Sequence, residues 1–166
     1  MSDLRQARMP VLPDRQNMKS RREAREWALK VLYAYDLSGN SLDQVVQQIV
    51  PRSSHESSHQ FMQDLVQRTI EKQDWIDGLI KQHTEKWELS RIAVLDRIIL
   101  RLAICEISFF DDIPPKVTIN EAIEIARKYS TEKSDKFVNG VLDAVMHRHK
   151  RDQNLNAEPS ASGNNK

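Results

Sequence analysis

The stretch from Ile92 to Phe110 constrains the fold of this 166-residue chain more than any other. It is the most hydrophobic part of the sequence. Wound at about 100° per residue, its apolar residues Ile92, Leu95, Ile98, Ile99, Leu102, Ala103 and Ile107 face nearly every direction. A helix that is apolar all round has to be covered all round. Lipid is excluded as the cover, because Asp96, Arg97, Arg101 and Glu106 put too many charges in the segment for a membrane span. Other helices are then the cover, with this segment as the buried central one. Only four glycines and few strand-like alternations point the same way, to an all-α protein.

The covering helices are marked by their starts and stops. Ser20-x-x-Glu23, Ser41-x-x-Gln44 and Thr118-x-x-Glu121 match the capping box, in which each side chain satisfies the other residue's open backbone N–H. Ser90 and Ser134 fit simple N-caps, and Asp74 fits a helix start. Gly39 stands where a C-terminal glycine belongs, while Pro51, Pro114 and Pro115 forbid continuation. Helices are expected from Ser20 to about Leu37 and near 42–50, 58–73, 75–83, 91–110, 119–129 and 135–148. Seven helices with short connections define a helical bundle. Residues 1–18 read as a flexible basic extension, 19–150 as one all-helical domain and 151–166 as a disordered polar tail.

His55-Glu56-Ser57-Ser58-His59 spells the H-E-x-x-H zinc-protease signature, which needs both histidines on one face of a rigid helix. Pro51-Arg52-Ser53-Ser54 before it reads as loop, and Ser57 or Ser58 fits a cap, which leaves His55 outside the helix. A polar loop is the better reading, and no metal site is assigned. There is no Gly-rich phosphate loop and no Ser/His/Asp or Cys/His grouping, so no catalytic residue, cofactor or enzyme activity is assigned either. Asp111-Asp112 reads as loop solvation. Cys105, the one cysteine, lies in an apolar run and reads as a buried small hydrophobe; it cannot form a disulfide within the chain. The first 25 residues are polar and basic without the apolar core of a secretory signal, so a cytoplasmic, reducing compartment is expected.

Net charge is only +1, yet it is unevenly spread. From Met1 to Lys30 there are eight Arg/Lys against four Asp/Glu, and "HRHKR" forms a second basic cluster at His147 to Arg151. On the first helix Ala24, Trp27, Ala28, Val31 and Tyr35 form an apolar stripe. Arg21, Arg22, Arg25 and Tyr33 fall on a neighbouring arc about 120° wide. Cations that track phosphates beside an aromatic that stacks bases are the means of holding single-stranded RNA. A solvated face on which these arginines pair with Glu23 and Glu26 is the competing reading.

Three later segments bear on that choice. "DRIILRLAICEI" (Asp96 to Ile107), "INEAIEIARKY" (Ile119 to Tyr129) and "KFVNGVLDAV" (Lys136 to Val145) resemble, in order and spacing, those of the NusB transcription antitermination family, over about Ser20 to Val145. The resemblance implies an all-helical fold of two packed bundles. It also implies binding of single-stranded boxA-type RNA, with a ribosomal protein (NusE) as heterodimer partner, in the antitermination complex on elongating RNA polymerase, particularly on ribosomal RNA operons. RNA contacts would come from an arginine-rich motif that maps to Lys19, Arg21, Arg22 and Arg25, and from aromatics at Tyr33 and Phe137. Glu23 interrupts an arginine run that can be continuous in the family, and the two terminal extensions have no implied role. Partner-contact residues and a homodimer are left open. A helical protein-protein adaptor without RNA affinity is the main rival, followed by an RNA-binding domain of the kind fused to RNA methyltransferases.

Several family-like residues have structural readings of their own. Arg101 and Glu106 are expected to fix the central helix, Asn120-Glu121 to start a helix, and Asn139-Gly140 to allow close helix approach. Phe137 beside Val138, Val141 and Leu142 fits a core position as well as an RNA-facing one.

Overall fold

With neither glycine nor proline between Asp14 and Ser38, nothing interrupts the first helix, and α1 runs Arg15–Ser38. The Ser20 box therefore lies inside the helix and not at its start, because a capping box acts only where the preceding chain leaves the helical conformation. The computed structural model describes residues 15–52, 55–84 and 89–157, with side chains over 21–52, 55–84 and 89–151. The remainder of the basic extension (1–14) and the end of the tail (158–166) lie outside the described residues. Gly39 ends α1 with φ +67°, the left-handed conformation that an L side chain adopts at a cost.

The box at Ser41 does start α2 (Leu42–Ile49): the Gln44 N–H donates to Ser41 Oγ at 3.3 Å and the Ser41 N–H to Gln44 Oε1 at 3.1 Å. Val50 is extended, as a residue before proline must be, and the helix stops. Next comes α3 (Glu56–Glu71), which begins ahead of the expected caps, so Ser57 and Ser58 are inside it. Ala24, Ala28, Val31 and Leu32 of α1, Val45 of α2, and Met62, Leu65 and Val66 of α3 are buried. α1 packs on both α2 and α3, and the three form one compact unit that ends at Glu71.

A second unit begins at Lys72. It holds α4 (Gln73–His83), a 3-10 turn at Leu89–Arg91, α5 (Val94–Phe109), α6 (Pro115–Tyr129) and α7 (Ser134–Ala157). As expected, α5 is its centre: every residue from Ile98 to Ile107 is buried, and α4, α6 and α7 all pack on it. Ser90 falls in the 3-10 turn and does not cap α5, whose N-cap position is Ala93 with no side-chain cap. Three of the four charges that exclude a membrane, Asp96, Arg101 and Glu106, bond side chains of neighbouring elements. Arg101 donates to both oxygens of Asp77 on α4, at 2.7 and 2.9 Å. Asp96 accepts from Ser130 at 2.6 Å and from Ser134 at 2.9 Å, which ties α5 to the α6–α7 turn. Glu106, 2% exposed, accepts from Thr118 of α6 at 2.9 Å.

That last bond corrects the capping box expected at Thr118. Pro115 stands at the first helical position, where a missing N–H costs nothing, so α6 starts earlier and buries both Thr118 and Glu121. Ser134 likewise bonds Asp96 instead of marking a cap before α7. Further along, α7 continues past residue 151, since the sequence offers no breaker before Pro159 and each added residue gains a backbone bond. Among the described residues there are seven α-helices and no strand, and no helix is long and apolar enough to cross a membrane.

Gly140 overturns the close-approach reading. It is exposed on α7, and a Cβ added there would meet nothing within 4 Å. Glycine at such a site only enlarges the entropy lost on folding. Gly140→Ala is therefore expected to stabilise the protein by about 0.5–1 kcal/mol, seen as a raised urea midpoint at unchanged slope. A lowered midpoint would mean that the glycine meets a constraint the geometry lacks.

Candidate nucleic-acid interface

The arginine face of α1 divides into two parts. Taking Arg21 as zero and advancing about 100° per residue, Leu32, Arg25 and Leu29 fall near about 20°, 40° and 80°. Leu32 and Leu29 are buried, and Arg25 between them is only 6% exposed. Arg22 and Tyr33 fall at about 100° and 120°, on the flank of that buried arc. Both are exposed, Tyr33 to 41%. The expected four-residue arc is thus an exposed pair, Arg22 and Tyr33, beside a pair turned toward the packed side, Arg21 and Arg25. Lys19 lies on the same helix, but its side chain is outside those described.

Arg21 and Arg25 meet Phe61 of α3. Their guanidinium carbons lie 5.2 and 5.5 Å from the centroid of that one ring. Both distances are within reach of the attraction between a cation and an aromatic face. Arg21 remains half-buried, so its charge stays open to solvent in part, whereas Arg25 is enclosed. Lys30 adds a similar contact on the outer side of α1, its Nζ 4.4 Å from the Trp27 ring centroid. Phe61 was missed by sequence reasoning; its only signal is a lone aromatic in the run "SSHQFMQD", polar apart from Phe61 and Met62.

Phe137 belongs to the second unit. It is half-buried at the edge of the buried stripe formed by Val138, Val141, Leu142 and Val145, with Lys136 and Asn139 exposed beside it. The basic cluster His147 to Arg151 within α7 is mostly exposed, and Arg148 donates to Gln82 of α4.

The zinc reading has no support in the geometry. His55 precedes α3, with its carbonyl accepting the His59 N–H at 2.9 Å, and only His59 is helical. Among the described residues no group of three or more His, Cys, Asp or Glu is placed to hold a metal ion. Cys105 is fully buried in α5.

The described residues thus form an all-helical protein whose first helix is cationic and flanked by aromatic rings. The chain belongs to the NusB family, whose pattern it matches over residues 22–147. It is 44% identical over 133 residues to the transcription antitermination protein NusB of Chloroherpeton thalassium, covering 79% of this chain and 63% of that protein. The chain therefore spans less than two thirds of that relative's length. The structure of T. maritima NusB is similar with a TM-score of 0.73 and 39% identity, over 76% of this chain and 90% of that one. A crystal structure of antitermination factors NusB and NusE in complex with double-stranded RNA is similar at 0.69 and 29% identity, over 79% and 98% of the two chains.

Proposed function

We propose that this protein is a non-enzymatic, cytoplasmic transcription antitermination factor that binds single-stranded boxA-type RNA jointly with the ribosomal protein NusE. In this reading the pair joins elongating RNA polymerase, chiefly on ribosomal RNA operons. The observation that carries it is the exposed flank of α1, where Arg22 and Tyr33 stand about three turns apart on one line. Arg22 neutralises a phosphate and Tyr33 stacks a base. Arg21 extends the cationic track, to which the family resemblance adds Lys19, and the enclosed Arg25 adds positive potential behind it. Phe137 offers a second ring, on α7. A similar protein crystallised with NusE and RNA supports both partners.

The test is binding of a labelled boxA-type RNA, with and without NusE, at two salt concentrations. Binding that is salt-sensitive and strengthened by NusE is expected. Arg22→Ala should weaken it on the order of fivefold to tenfold at low salt and take about 0.7 from the slope of log affinity against log salt. Tyr33→Ala should weaken binding with the slope unchanged, because stacking releases no counterion. NusE binding without RNA affinity in any combination would overturn the proposal in favour of a protein adaptor.

A further inference from the structure

We infer that Phe61 is a positioning residue for RNA binding: its ring holds the Arg21 and Arg25 side chains in place and so sets the cationic edge of α1. The inference rests on the RNA-binding reading above and extends it to α3.

Two arginines four residues apart on a helix repel one another, and long cationic side chains lose much rotamer freedom when fixed. Left alone, the pair would spread apart. Here both guanidinium groups lie against one ring, at 5.2 and 5.5 Å, although α3 is otherwise polar on its outer side. The electron-rich face of that ring offsets part of the repulsion. Arg25 is enclosed by this arrangement, but Arg21 keeps partial exposure, so only Arg21 of the two retains a route to a phosphate. Arg22, the next residue on the helix, is exposed beside it. A track whose cations are fixed before RNA arrives loses less freedom on binding. Phe61 itself need not touch RNA; it acts through Arg21 and Arg25.

Replacing the ring while keeping an apolar side chain separates this role from simple packing. Phe61→Leu should fold cooperatively, checked by circular dichroism on heating, and should weaken boxA-type RNA binding with NusE by about fivefold. Phe61→Tyr, which restores a ring, should bind as the parent does. The decisive comparison uses the Arg21→Ala/Arg25→Ala background. If Phe61 acts through the arginines, Phe61→Leu adds little there. Equal penalties in both backgrounds would overturn the positioning role, as would Phe61→Leu binding like the parent while Arg22→Ala does not. A parent protein that binds no RNA ends the RNA reading and this inference together, whereas a parent that binds RNA and a Phe61→Leu variant that binds it equally end this inference alone.

Discussion

Arg101→Ala is expected to destabilise the protein by about 3 kcal/mol, the low end of what breaking a buried ion pair costs. The guanidinium and the Asp77 carboxylate are joined by two parallel bonds of 2.7 and 2.9 Å, with side-chain exposures of 9% and 14%. At that burial neither charge is well hydrated. Removing one leaves the other in a poorly solvated site, and the loss exceeds the net worth of the pair. The low end applies because both groups keep a little contact with solvent. Urea unfolding of Arg101→Ala, Asp77→Ala and the double variant checks this. The double variant should be less destabilised than the two single losses added together, since it leaves no orphaned charge. A single-variant loss below about 1 kcal/mol would show the pair behaving as a surface salt bridge.

The central helix was legible because its constraint is global. A segment with apolar residues on all sides has one kind of environment, and α5 is enclosed from Ile98 to Ile107 as that requires. The charges inside it were legible as structural for a similar reason: Arg101 and Glu106, each buried, need partners, and Asp77 and Thr118 supply them. Helix starts were less legible. The Ser41 box works because Gly39, in its left-handed conformation, breaks the chain two residues earlier. The Ser20 and Thr118 boxes have the same spelling without a break at that point, since α1 is already helical and Pro115 has already started α6. A capping motif thus reports a helix start only where the preceding backbone is forced out of the helix.

The arginine face was half legible. Ala24, Trp27, Ala28, Val31 and Tyr35 suggested one apolar stripe, yet Trp27 and Tyr35 are only half-buried. The stripe that packs is shifted toward Leu29 and Leu32, which bracket Arg25 around the helix. Weighing those two leucines would have placed Arg25 on the packed side from sequence alone. Phe61 was not accessible that way, because its partnership with Arg21 and Arg25 joins α1 to α3 across more than thirty residues. No local periodicity carries such a pairing.

Ile104→Ala should cost a further large amount, about 2–5 kcal/mol, and the chain contains its own reporter for it. Ile104 has no solvent exposure, and the residue after it, Cys105, is the one cysteine and is equally enclosed. Truncation removes three carbon atoms from a site walled by α5's neighbours, and rigid helices close such a cavity only in part. A buried thiol reacts with a labelling reagent only when the structure opens, so the labelling rate follows the population of open molecules. A loss of about 3 kcal/mol raises that population about 150-fold. Thiol labelling and urea unfolding should therefore report the same loss in Ile104→Ala. Faster labelling at an unchanged urea midpoint would instead place the weakness in a local opening of α5, and would contradict its role as the centre on which α4, α6 and α7 pack.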